Sequence, residues 1–457
     1  MENQKHYSNH SQNGYSSQAQ YAPTHSAEQL LNTGMLNELL RKQLTPDTIV
    51  KPSQLTNGKT AHQEESLISC AVDAVEELLH NEKFDRSRVH RKLSALFYQQ
   101  KAVYLQTPIE EKWRKCQFIS HCGLIMSPDN CITTQLDDIR VRSFIRGIDA
   151  AIQEKSAAKQ SSNNQSTSEH EPVHVVYPAC GPFAPLLMPL LAYYKTNKAL
   201  SAQQLQITLI DMQPGAISTL EALINEMDIS DYIANVCCMD ATQYQPMQNE
   251  HNEHNGELKN IDLVILEAMQ HGLSREGQLS IARHFASLLA LEGSFIPKKI
   301  IVSANLVIAQ DELVEQWRDA KNLSEQDMDN DIKQQRLSIG NVLTISPETL
   351  RNMQEIILDE HTHLLECEST KIPELPNDIE YTLLLSTRVQ TWGDEWVGEY
   401  DSGITHPLPD QSVCINFTPR EQKAGDLLIK SGEAIKFYYR LNGLPGFLPT
   451  CEQGSVE

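Results

Sequence analysis

The sequence is poor in the features that mark several large classes of protein. Its ten cysteines include no C-x-x-C pair and no ladder of regular spacings, so they read as reduced thiols of a cytoplasmic protein and not as a disulfide framework. The apolar flanks of Cys180, Cys237 and Cys238 place those three in a core. No apolar run approaches the length of a membrane span, and the first residues lack the apolar segment of a signal peptide. The expectation is a soluble protein that is neither embedded in a membrane nor exported. Positive charge is scarce: 38 Lys and Arg stand against 60 Asp and Glu, a net charge of -22. That balance excludes a sequence-independent hold on nucleic-acid phosphates, which needs clustered basic side chains, and suits a cationic or neutral substrate. The glycine patterns that cradle a pyrophosphate, G-x-G-x-x-G and the P-loop, are missing as well.

What is present suffices for a large fold. A chain of 457 residues with 40% hydrophobic content holds two or three domains and a substantial core. Residues 1–26, rich in Asn, Gln, Ser, His and Tyr, have too little aliphatic content to offset ordering entropy and read as a disordered tail. Residues 27–153 form a helical region: apolar positions three and four apart run through 66–79, a second helix covers 89–104, and 136–148 is amphipathic with several arginines. Those arginines are on their own a solvated basic face. The Ser- and Asn-rich stretch 154–172 reads as a linker.

From 173 to 307 strands alternate with helices. The strands are 173–177, 206–210, 233–238, 261–266 and 294–307, the last interrupted by Pro297. Helices are expected over 184–195, 216–227 and 278–291, and an acidic, His- and Asn-rich insertion over 247–260. This is the pattern of the α/β class, a Rossmann-like parallel sheet that binds ligands outside the carboxyl ends of its strands. Residues 308–340 form an arm-like insertion, charged and helical over 311–335; strand-like runs separated by Pro, Gly and Asp dominate from Leu337 onward and make 341–457 a β-barrel or sandwich.

The chemistry concentrates in 261–276. An apolar run of strand length ends at Glu267, a loop containing Gly272 follows, and Glu276 stands just before the next helical pattern. Each acid has a plain explanation, Glu267 as a solvated strand edge and Glu276 as a helix-start acid. The other strand ends narrow the choice. Gly181 is the single glycine of the turn after the first strand, and Pro182 removes an N–H from it; such a turn suits a nucleoside without a pyrophosphate. Asp211 ends the second strand, placed to accept from both ribose hydroxyls, and Asp240 follows the third, placed to accept from an exocyclic adenine amine.

That ordered set resembles class I S-adenosylmethionine (SAM)-dependent methyltransferases. The spacing of Glu267 and Glu276, with Met269 two residues after the first, looks like the double-glutamate loop of protein arginine methyltransferases. Asp137-x-x-Arg140-x-x-x-Phe144 resembles the family's helix before the SAM fold, in which the arginine pairs with the cofactor carboxylate. Residues 291–297 resemble the glycine and proline pattern entering its fifth strand, and Thr405-His406-Pro407 falls near its Thr-His-Trp loop, with 428–433 similar to a segment downstream. The charged segment after 310 falls where the family carries a dimerisation arm. The likeness covers roughly 120–445. Pro407 replaces an aromatic, Cys131 stands where a histidine is usual, and Gly181-Pro182 replaces a more glycine-rich turn; these departures bear on peptide substrate and methylation pattern more than on methyl transfer.

The resemblance implies SAM as cofactor, S-adenosylhomocysteine (SAH) as product, and a homodimer. Cofactor-binding residues would be Arg140, Ala179, Cys180, Gly181, Asp211, Met212, Asp240, Ala241 and Glu267. Glu267 and Glu276 would clamp a guanidinium, and His406 would assist proton loss or hold the acid loop. Arginine, free or within a peptide or protein, is the implied substrate. Two other readings stay open: methylation of another small metabolite or natural-product amine, and a non-catalytic scaffold with a decayed cofactor site. His251-x-x-His254 and His361-x-His363 lack a Cys or acid set at ligand spacing and read as surface histidines, so no metal is expected.

Overall fold

Helix α1, Leu67–His80, starts where the Ser66 side chain accepts the Ser69 N–H at 3.1 Å, and its buried stripe includes Leu67, Ala71, Ala74, Val75 and Leu78. Asp85 caps α2, Arg86–Gln106, in the same way through the Arg88 N–H. The computed structural model describes residues 65–81, 83–162, 171–246, 261–318, 323–376 and 379–451. The expected tail over 1–26, and His251 and His254 of the polar insertion, lie outside the described residues. No helix among those described is long and apolar enough to cross a membrane.

Helix α3, Asp138–Ser162, continues through the first part of the stretch expected as a linker. Its polar composition is that of a helix with paired charges. The Ala-rich turns favour helix, Ala151 and Ile152 are buried, and Lys159 Nζ reaches Asp262 Oδ2 at 2.6 Å and the Pro172 carbonyl at 2.9 Å.

Five parallel strands follow: β1 Val173–Pro178, β2 Leu205–Asp211, β3 Ile233–Cys238, β4 Ile261–Ile265 and β5 Leu289–Ile296, in the spatial order β3-β2-β1-β4-β5. Helices α4 Met188–Asn197, α5 Pro214–Glu226 and α6 Gln278–Ala286 connect them, and α1 packs on both α2 and α4. The central strands are near-continuously buried, as parallel strands covered on both faces must be. Edge strand β3 is not, and Cys238 at its end is exposed, not a core residue. All ten cysteines are free.

Two expected elements are redrawn near the end of this sheet. Helix α6 stops at Ala286, not Leu291, because Leu289 already pairs with Ile261 as the start of β5; a short apolar run does not by itself distinguish helix from strand. The expected strand over 294–307 is two strands in two different sheets. Pro297 has no N–H to continue a ladder; β5 ends before it, and β6, Lys299–Val307, opens an antiparallel sheet. The chain therefore changes sheet at Pro297, ten residues before the expected boundary at 307.

In that sheet β6 lies between β7, Leu337–Ile345, and β10, Thr382–Trp392, with β11 Glu395–Val397 and β12 Leu408–Asp410 also on β10. A four-stranded antiparallel sheet joins β8 Glu355–Asp359, β9 Thr362–Lys371, β15 Ala434–Arg440 and β16 Gly446–Cys451, and β13 Val413–Ile415 pairs in parallel with β14 Leu427–Ile429. The charged segment after 308 is not one long helix. It holds short helices, Ala309–Leu313 and Asn330–Gln335, and β7 begins at Leu337, where the strand-like runs were expected to start. Arg336 pins the segment down: its guanidinium donates to Glu312 at 2.8 and 2.5 Å and to Glu399 at 2.5 Å, all three side chains being largely buried.

Candidate functional site

The carboxyl ends of β1, β2, β3 and β4 open into one cavity enclosing about 1130 Å³ of empty space, its mouth included. It lies at the crossover between β1 and β4, where the strand order reverses and the connections leave in opposite directions. The turn after β1, the ends of β2 and β3 and the acid loop after β4 line one side. Residues between Cys122 and Thr134, with Arg140 of α3, line the other.

Asp211 is oriented by backbone. Gly181 N–H donates to its Oδ2 at 2.9 Å and Gln213 N–H to its Oδ1 at 2.8 Å. A carboxylate holding two such bonds keeps lone pairs for a diol. Burial pushes its carboxyl above the usual range while those N–H groups pull it down. The turn that supplies Gly181 runs through left-handed backbone, with φ +50 at Ala179 and +67 at Gly181. Asp240 caps the turn after β3: its Oδ1 accepts from Thr242 N–H at 2.9 Å and Thr242 Oγ1 at 2.8 Å. Its Oδ2 lies 3.4 Å from His121 Nδ1.

The two loop acids face the same cavity. Arg140 Nη1 donates to Glu267 Oε2 at 3.1 Å, and Arg140 Nε is 3.3 Å from Asp137 Oδ2. The arginine expected to meet a cofactor carboxylate is thus part of the wall, held between two acids. Burial raises the Glu267 carboxyl and Arg140 pulls it back. Glu276 has no cation of its own. Gln270 Nε2 donates to its Oε1 at 2.8 Å, and burial, followed by the charge of Glu267, pushes its carboxyl up to about 7. Cys131, in the wall nearby, is kept a neutral thiol by burial and then by the charges of Asp211, Glu276 and Glu267.

The acid loop is held from several sides. Buried Gln278 ties its two ends, accepting from Ala268 N–H at 2.8 Å and donating to the Leu266 carbonyl at 3.2 Å. Tyr439 Oη donates to the Leu273 carbonyl at 2.6 Å, Arg275 N–H to the Pro445 carbonyl at 2.8 Å, and Leu124 N–H to the Arg275 carbonyl at 2.7 Å. Gly272, at φ +61, sits so close on Leu408 that a Cβ would come within 2.6 Å of its side chain.

Ten of the eleven residues expected at the site, Arg140, Ala179, Cys180, Gly181, Asp211, Met212, Asp240, Ala241, Glu267 and Glu276, line this cavity. His406 does not. It is buried edge-on against Tyr400 at 4.9 Å, its Nε2 makes no hydrogen bond, and burial, then nearby His271, pushes its pKa down to about 3. Its loop reaches the site indirectly, since Ser402 Oγ donates to Asp137 Oδ2 at 2.6 Å. The sequence reading missed the wall supplied by Cys122 to Pro128 and the positioning amides Gln270 and Gln278; a neutral side chain in a loop carries no signal of its own. His361 and His363 sit on the β8–β9 hairpin beside Glu360 and Glu355, at 3.2 and 2.5 Å.

No family model matches the sequence, and no curated protein matches it. Among solved structures, the chain is similar to the Trypanosoma brucei PRMT1 enzyme-prozyme heterotetrameric complex with AdoHcy, at 13% identity and a TM-score of 0.37 over 70% of this chain and 92% of that one. It is also similar to PRMT6, at 12% identity and a TM-score of 0.35 over 63% and 93%. Superpositions at that level decide neither family nor function.

Proposed function

We propose that the chain is a SAM-dependent N-methyltransferase acting on a guanidino nitrogen of arginine. The observation that carries the reading is the convergence of Glu267 and Glu276 on the cavity that Asp211 and Asp240 also line. The residues fit the cofactor. Asp211, fixed by two N–H groups, would take the ribose hydroxyls, Asp240 the adenine amine, and the spare N–H donors of Arg140 the carboxylate of the methionine moiety. When bound, SAM supplies an electrophilic methyl group on a sulfonium.

The chain's own residues do the rest. Two carboxylates facing one space match the planar fork of a guanidinium through charge-assisted hydrogen bonds. Glu276, without a cation beside it, binds that charge once ionised, while Glu267 shares its charge with Arg140. Alignment and electrostatics supply the acceleration, with the apolar wall from Leu124 to Pro128 limiting water.

The test is transfer of labelled methyl from SAM to free arginine, arginine peptides, an arginine-rich protein and non-guanidino amines, read by mass spectrometry. Methylated guanidine is expected from at least one arginine acceptor. Glu276→Gln is expected to bind SAH as the wild type does by calorimetry, and it and Glu267→Gln are each expected to lose at least about a hundredfold in turnover. Transfer to amines alone, or near-normal turnover in either variant, overturns the guanidinium clamp; absence of SAH binding overturns the cofactor reading.

A further inference from the structure

At the rim of the cavity, the adjacent residues His121 and Cys122 meet Asp240 from the loop after β3. His121, Cys122 and Asp240 are the one group of three metal-ligand residues among those described in which one donor atom from each lies within 4.8 Å of the others. The His121–Asp240 distance is 3.4 Å. Around zinc, bonds of about 2.0–2.3 Å put tetrahedral neighbours ~3–4 Å apart, so small rotations close the set.

The backbone beneath these donors is fixed. Ser120 N–H and Oγ both donate to the Gly123 carbonyl, at 2.8 and 2.9 Å, forming the tight turn that presents His121 and Cys122. Gly123, at φ +151, lies against the backbone of Arg275, Glu276 and Gly277 so closely that a Cβ would meet it at 2.7–2.9 Å. Gly443 N–H donates to the His121 carbonyl at 3.0 Å, and Asp240 is held through its other oxygen by Thr242. Cys122 is buried and the His121 side chain is 60% exposed, so ion and water reach the group from outside.

We propose that His121, Cys122 and Asp240 form a binding site for a thiophilic divalent metal ion, Zn²⁺ in the first instance, with a fourth position open to solvent; ion and adenine amine compete for Asp240 Oδ2, since Thr242 already takes Oδ1. The donor chemistry selects the ion: one imidazole, one thiolate and one carboxylate suit zinc or copper, whereas magnesium and calcium prefer oxygen alone. Three protein ligands with an open position is also the form of zinc sites that exchange a ligand. The ion would join the turn before Leu124 to the loop after β3, two segments that meet across the rim, and it binds with Cys122 deprotonated and the Cys122 proton released to solvent.

The full chain, stripped of metal, is titrated with Co²⁺ as a spectroscopic probe and then with Zn²⁺ as competitor. One equivalent should give tetrahedral d–d bands and a thiolate-to-cobalt charge-transfer band, both abolished by Zn²⁺. Cys122→Ser should lose the charge-transfer band, and His121→Ala and Asp240→Asn should each weaken binding at least about tenfold. Cys451→Ser, at a remote exposed thiol, should leave the spectrum unchanged. A charge-transfer band surviving Cys122→Ser, or one-equivalent affinity unmoved by His121→Ala, overturns the proposal. Because His121 is exposed, its alanine variant tests the site without threatening the fold.

Discussion

Glu276 is the residue whose environment does most to shape the site. Its carboxyl, raised to about 7 by burial and by Glu267, is protonated in much of the free protein at neutral pH. If the ionised form holds the cation, kcat/KM should rise with pH through about 7 and then level, which a pH profile of methyl transfer checks. Stability runs the other way. A carboxyl whose folded pKa exceeds its unfolded value of 4.5 stabilises the fold below that value, and the contribution is lost as pH rises through about 7. Glu276→Gln should therefore raise the melting temperature relative to the wild type at pH 8 and not at pH 4. The side chain is half-buried in an open cavity, so the gain is roughly 1–2 kcal/mol. The four acids of the cavity were legible in the sequence, unlike Arg140, which read on its own as part of a solvated basic face, because acids recur in order after successive strands. Gln270 and Gln278 were not, because what they do depends on the loop closing back on itself.

At the scale of elements, the acid loop and the turn before Leu124 support each other. Gly123→Ala places a methyl group against the backbone of residues 275–277 in a left-handed conformation, so both must shift. A loss of about 1–3 kcal/mol by denaturant titration is expected, with a fall in turnover larger than the fall in SAH affinity. Gln278→Leu strands the Ala268 N–H and the Leu266 carbonyl and should cost about 2 kcal/mol. Strand and helix alternation over β1 to β4 could be read from apolar runs and their lengths. The β5–β6 junction could not: 294–307 reads as one strand interrupted by a proline, and only strand pairing shows that its halves serve different sheets. The end of α3 was misread because a helix with paired charges has the composition of a linker.

The whole molecule depends on contacts between regions remote in sequence. Arg336, Glu312 and Glu399 hold the segment after β6 against the loop that precedes β12, with Tyr400 donating to Glu312 and its ring tilted against Trp317, 4.5 Å between centroids. Arg336→Met leaves two buried carboxylates without their cation. The expected cost is about 3–5 kcal/mol, measured by chemical denaturation. The same loop carries Ser402 to Asp137, and Asp137 steadies Arg140 beside Glu267. The variant should therefore also weaken SAH binding, although Arg336 is not among the residues lining the cavity.

The cavity walls come from three separate stretches, 122–140, 177–216 and 239–281. None encloses anything alone, so an unfolded chain has no counterpart of the cavity, and a ligand that fills it binds only the native state. Occupancy then becomes part of the folding equilibrium. At a free concentration a hundred times its dissociation constant, such a ligand should deepen the native well by about 2.7 kcal/mol. Melting temperature against ligand concentration would thus rank candidate cofactors before any turnover has been seen.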